Sequence, residues 1–229
     1  FHACALTSAG GVKCWGANNN GQLGNGSNNA SHVPVDVSNL SSGVTAITAG
    51  DYHTCALTST GAMKCWGRNY YGQLGDNSTN DRDEPVAVSG MASGVAVISA
   101  GGLHTCARMT NNILKCWGGN HYGQLGNNSN SDRDEPVSVL WLASIPSEIV
   151  AGGNHTCARN TDGGVKCWGS NSNGQIGDNT TDDRDTPTSV SGLSSGAEAI
   201  GVGHMHSCTV MTGGGVKCWG INLDGQVGD

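Results

Sequence analysis

Histidine and cysteine recur in this chain at a spacing that could hold a metal or form a covalent bond. A histidine precedes a cysteine by two residues at His2/Cys4, His53/Cys55, His104/Cys106, His155/Cys157 and His206/Cys208. A second cysteine follows each pair, at Cys14, Cys65, Cys116, Cys167 and Cys218. Residues two apart share one face of a strand, so His53 and Cys55, with Cys65 opposite, would supply three zinc ligands. A fourth ligand is not evident, and cross-strand geometry favours a sulfur–sulfur bond instead. No metal is expected there. The five repeated histidines could also serve as a pH switch, since imidazole titrates near neutrality.

The polar loops hold a second candidate set. Their acids are Asp76, Asp81, Asp83 and Glu84, then Asp132, Asp134 and Glu135, then Asp178, Asp182, Asp183 and Asp185. Carboxylate, Asn and Ser oxygens suit Ca²⁺, but the spacing matches no EF-hand. Arg82, Arg133 and Arg184 stand between these acids, so ion pairing with a neighbouring unit is the cheaper explanation. Catalysis finds no support. The chain lacks a Gly-x-Ser-x-Gly elbow, a His-Glu-x-x-His pair and a phosphate loop. Neither an enzymatic activity nor a cofactor is expected.

What must position these residues is read from their period. Both cysteine series advance by 51 residues at every step, the signature of a repeat architecture. In the unit from Val44 to Val88, VTAITAG, DYHTCALT, AMKCWGRN and PVAVS are short runs bounded by Gly, Asn, Ser or Pro, which read as strands. No window carries an apolar helical period. Four strands in roughly fifty residues is the size of a propeller blade. The sequence thus predicts an all-β propeller segment of four to five four-stranded blades. Its repeats fall at about 1–50, 51–101, 102–152, 153–203 and 204–229 of a single domain.

The middle hairpin can be worked out residue by residue. Cys55 and Cys65 are equidistant from Thr60, so a loop Ser59-Thr60-Gly61 sets them opposite each other. Such a loop ends in a left-handed residue, and that position holds Gly10, Gly61, Asn112, Gly163 and Gly214. Counted outward from Thr58 and Ala62, the cysteines fall on a non-hydrogen-bonded pair, whose Cα separation of about 4.5 Å suits a disulfide. A bridge is expected across every hairpin.

Ten paired cysteines imply an oxidising compartment, hence a secreted or cell-surface protein. Each bridge closes a loop of about ten residues, worth about 2–3 kcal/mol in the chain-entropy model. With one Phe and 37 Gly, a blade buries little apolar surface and must gain its core by stacking on its neighbours. The formal charge is −7, and five of the eleven basic residues are a repeated Lys beside a cysteine. That balance offers no footprint for nucleic acid or an anionic membrane. No run reaches the roughly eighteen apolar residues of a transmembrane helix. The chain opens inside a hairpin and stops before a fifth outer strand, as a piece of a longer protein would.

Departures from the repeat point to recognition. Between the repeated Gly and Gln, the units read ANNN, RNYY, GNHY, SNSN and INLD, and the residue before each histidine is Phe1, Tyr52, Leu103, Asn154 or Met205. Arg68, Tyr70, Tyr71, His121 and Tyr122 therefore form a candidate binding face, because Arg and aromatic side chains dominate interface hot spots. Elsewhere, VLWLASIPSEIVAGG is unusually apolar, with Trp141 the one Trp outside a Cys-Trp-Gly triplet and Pro146 expected at a strand start.

These units resemble the regulator of chromosome condensation repeats. The match rests on Ala49, Gly50 and His53, on Trp66-Gly67-x-Asn69, on Gly72-Gln73-Leu74-Gly75 and on Arg82-x-x-Pro85-x-x-Val88. The resemblance implies a propeller, usually of seven blades, with ring closure by strands from both ends. It also implies a blade-structural role for the repeated histidines, bonded to backbone near the turn. The cysteine pairs resemble a secreted branch in which β-lactamase inhibitors occur. Nucleotide exchange in this family relies on a wedge-shaped insertion, and equal repeat steps leave no residues to carry it. The hairpin tryptophans match the structural ones of the motif, not the cluster of a photoreceptor. The expected function is protein binding by an extracellular, non-enzymatic scaffold. The alternative is an extracellular filament or surface layer assembled through open strand edges.

Overall fold

Alternating and β-branched runs fold as strands throughout. The computed structural model describes residues 2–140, 142 and 146–228, so Phe1 and Trp141 lie outside the described residues. Among the described residues there are eighteen strands and no helix. The first sheet holds β1 (His2–Leu6), β2 (Val12–Gly16) and β3 (Ser31–Asp36). The second runs β4 (Val44–Ala49), β5 (His53–Thr58), β6 (Met63–Gly67) and β7 (Arg82–Ala87). The third has β8 (Val95–Ala100), β9 (His104–Met109), β10 (Leu114–Gly118) and β11 (Arg133–Ser138). The fourth has β12 (Pro146–Ala151), β13 (His155–Asn160), β14 (Val165–Gly169) and β15 (Arg184–Ser189). The last holds β16 (Ala197–Val202), β17 (His206–Met211) and β18 (Val216–Gly220).

Each sheet is an antiparallel meander, and β4, β8, β12 and β16 pack side by side as its inner strands. This is a β-propeller segment with three complete four-stranded blades between two three-stranded ones. The sheets are offset from repeats counted at the histidine: β4 lies in residues 1–50 yet pairs with β5. Pro146 opens β12, where its missing N–H breaks no ladder.

The hairpins follow the expected geometry. The Thr58 N–H donates to the Ala62 carbonyl at 2.9 Å, and Gly61 takes φ 78° while Asn112 takes φ 67°. Cys55 pairs with Cys65 in register. All five bridges, Cys4–Cys14, Cys55–Cys65, Cys106–Cys116, Cys157–Cys167 and Cys208–Cys218, have Cα atoms 4.1 Å apart.

The core lies between blades rather than within them. Trp117 of the third blade is buried among Cys55, Met63, Cys65, Leu74, Val88 and Met91 of the second and the linker beyond it. Trp66 sits likewise among Val12, Cys14, Leu23 and Leu40. The tryptophan explains the glycine that ends each Gly-Gln-Leu-Gly step. A Cβ at Gly75 would lie 2.5 Å from Trp117 Nε1, so no larger residue lets the next blade dock.

Candidate functional site

The repeated histidine begins β1 in the first sheet and the second strand, β5, β9, β13 or β17, in the others, at the end of the sheet opposite the hairpin turn. His53, His104 and His155 are buried. The expected backbone partner is corrected by the structure: His53 Nε2 donates to Thr105 Oγ1 of the next blade at 2.8 Å. His104 meets Thr156 at 2.8 Å and His155 meets Ser207 at 2.9 Å in the same way. The hydroxyl of Thr105 then donates back to the Gln73 carbonyl at 2.8 Å, and Trp117 Nε1 donates to the same oxygen at 3.0 Å. Each junction is thus a polar chain of histidine, hydroxyl, carbonyl and indole beside the apolar seam, with the histidine Nδ1 making no hydrogen bond among the described residues. The hydroxyl is preferred because the histidine faces the neighbouring sheet, whose backbone groups are committed to its own ladder.

Burial, and secondarily the charge of His2, lowers the His53 pKa to about 3. Burial, with the neighbouring His155 and His53, lowers His104 to about 3, and burial with His206 and His204 lowers His155 to about 4. These imidazoles are neutral clamps at physiological pH.

The acidic loops are committed to holding themselves. Asp76 accepts from Ser78 Oγ, Asn69 Nδ2 and Arg82 Nε, at 2.8, 3.0 and 2.9 Å. Asp81 caps the Asn69 N–H at 2.7 Å. The expected ion pair with a neighbouring blade is corrected too. Arg82 pairs with Asp76, and Arg184 with Asp178, inside their own loops at 2.8 and 2.6 Å. In the third blade Asn127 takes the place of that aspartate, so Arg133 has no carboxylate within 4 Å among the described residues. Contact with the next blade passes through backbone instead: the Asn77 N–H donates to the Asp134 carbonyl at 3.0 Å.

On this frame the structure brings Arg68, Tyr70, Tyr71 and His121 together and adds Tyr52. The Arg68 guanidinium carbon lies 5.5 Å from the Tyr52 ring centre and 5.9 Å from those of Tyr70 and Tyr71. Tyr70 meets Tyr71 edge-on at 4.9 Å, and Tyr71 meets His121 edge-on at 5.5 Å, linking two blades. Tyr70 remains 67% exposed. The loop beneath is rigid, since buried Asn69 accepts from the Leu74 N–H at 2.9 Å and buried Gln73 from the Tyr71 N–H at 3.0 Å. Tyr122 is exposed but makes no ring contact among the described residues. The residue one repeat beyond His121 is Ser172, which offers no ring to meet it. Asp51 and His204 also approach each other, at 4.0 Å, a pairing that the sequence signals only as two departures in a column otherwise filled by Gly102 and Gly153.

The family model for the regulator of chromosome condensation (RCC1) repeat matches residues 9–57, 61–108, 116–159 and 162–210. The chain belongs to the RCC1 repeat family. A second RCC1 repeat model matches 44–73, 95–124 and 147–175. The chain is 36% identical over 197 residues to the human probable E3 ubiquitin-protein ligase HERC4, spanning 84% of this chain and 19% of that protein. It is 32% identical over 232 residues to the Arabidopsis thaliana ultraviolet-B receptor UVR8, spanning 99% of this chain and 52% of that one. The RCC1-repeat region described here is therefore at most about half the length of these relatives. Its fold is that of human WBSCR16, with TM-score 0.87 over 99% of this chain and 61% of that one, at 24% identity.

Proposed function

We propose that this RCC1-repeat segment is an extracellular, non-enzymatic scaffold that binds another protein through the face of Tyr52, Arg68, Tyr70, Tyr71 and His121. The observation that carries the reading is the cation–π cluster on that face. A guanidinium held between three tyrosine rings is preorganised, so a partner does not have to order it on docking. Among the described residues Arg68 has no carboxylate within 4 Å, which leaves it free to meet an acceptor on the partner. The five disulfides support an oxidising location.

The test is affinity capture from the secreted fraction of the source organism, using wild type, Arg68→Ala/Tyr70→Ser, and a hairpin-turn control, Thr60→Ala. The expected result is a partner retained by wild type and the control and lost by the double variant. Equal capture by all three refutes the reading. Assembly through strand edges is the second reading, favoured by β7, β11 and β15 each standing at the edge of its sheet with no partner strand beyond it among the described residues. Negative-stain images separate the two, because polymers would support assembly and discrete particles would exclude it.

A further inference from the structure

Where the four inner strands end, the chain leaves a cavity of 230 Å³. Its walls are Ala49, Ala100, Ala151 and Val202 and the glycine after each, and its rim carries Asp51 and His204. Of the backbone donors around it, those of Gly50, Gly101, Gly152 and Gly203 bond within their own blades, and three others reach into neighbouring blades. The Asp51 N–H donates to the Gly102 carbonyl at 3.4 Å, that of Gly102 to Gly152 at 3.0 Å and that of Gly153 to His204 at 3.2 Å. An anion entering here would find no free N–H from these residues.

The Asp51 carboxylate has the opposite character. It leans over Gly102, whose Cβ position would be 3.0 Å from Asp51 Oδ2. Among the described residues it accepts no hydrogen bond, and its nearest cationic candidate, His204 Nε2, stays at 4.0 Å. Its side chain is one-third exposed, 33%. A solvent-reached carboxylate with no protein hydrogen-bond donor among the described residues, standing over an Ala/Gly-walled recess in a chain of net charge −7, suits a cation on an apolar stem.

We propose that this recess is a socket for a lysine or arginine side chain of the protein that docks on the adjoining face. The methylenes would lie against the Ala and Gly walls, and the ammonium or guanidinium would bond to Asp51. Tyr52 follows Asp51 directly and its ring touches Arg68, so a partner on the aromatic cluster is within reach of the socket. The inference rests on the protein-binding reading for the source of the cation, but its chemistry can be tested without a partner.

The experiment titrates the ¹⁵N-labelled full chain with N-acetyl-arginine amide and N-acetyl-lysine methylamide. Sodium acetate serves as the anionic control and spermidine as a free polyamine. Saturable shifts of the Asp51, Gly102 and Gly153 amides are expected with both side-chain mimics and not with acetate. Asp51→Asn, checked for an otherwise unchanged spectrum, should weaken the response at least tenfold, whereas His204→Gln should retain it. Absence of a saturable response in wild type, or an equal one in Asp51→Asn, overturns the socket. Spermidine binding tenfold tighter than either mimic overturns the assignment to a partner side chain. Failure here leaves the capture result with Arg68 and Tyr70 variants standing, so the two readings fall separately.

Discussion

Acid should loosen the blade junctions well before the carboxylates protonate. His53, His104 and His155 have folded-state pKa values lowered to about 3, 3 and 4 by burial, against about 6.5 in an unfolded chain. The unfolded state therefore binds more protons once the pH falls below about 6.5, and stability must drop as pH falls. Their full contribution is present above about pH 6.5 and is lost progressively toward the folded values. From pH 6.5 to 5 the loss is about 1.5 units at 1.36 kcal/mol per unit, or about 2 kcal/mol per histidine and about 6 kcal/mol for the three. The assay is urea unfolding with disulfides intact at pH 7.5, 6 and 5, followed by tryptophan fluorescence. A midpoint falling steeply over that range is expected, with about a quarter of the slope removed in His104→Gln, because burial also lowers His2, to about 4. A midpoint independent of pH, or imidazoles titrating near 6.5 by NMR in the folded protein, would refute the reasoning.

Thr105→Val removes the acceptor of the His53 N–H, while the Gln73 carbonyl keeps the Trp117 donor; thermal unfolding should show a loss of about 1–3 kcal/mol, the cost of one orphaned buried group. Gly75→Ala should cost at least as much, because the new methyl meets the Trp117 indole and φ is 69°; suppression by Trp117→Leu in the double variant checks the steric cause. Asp76→Asn reproduces the arrangement that Asn127 already supports in the third blade, so chemical denaturation should register about 1 kcal/mol or less. Intact mass under non-reducing, denaturing conditions should lie about 10 Da below the all-thiol value, with no alkylation before reductant, as five bridges require.

The disulfides were readable because a hairpin is local. Ten residues, a three-residue turn and a left-handed glycine fix which sulfurs meet, whatever the rest of the chain does. The loop variants RNYY and GNHY marked the cluster of Arg68, Tyr70, Tyr71 and His121 for a similar reason, as adjacent repeats hold equal positions. The structural role of His53 is legible in the repeat, but its partner is not, because Thr105 belongs to the next blade and is 52 residues away. Arg82 misled in the reverse sense: its acid, Asp76, is six residues distant in a folded-back loop rather than across the junction.

Period, strand character and cross-strand cysteine pairing are properties of neighbours along the backbone, and the amino-acid order determined them unaided. Which rings surround Arg68, and that Asp51 faces His204 across the inner strand ends, depended on how five sheets are rotated about their axis. That rotation is set by the burial of each tryptophan against the glycine of the preceding blade. It is a contact between distant segments, which only the assembled fold could decide.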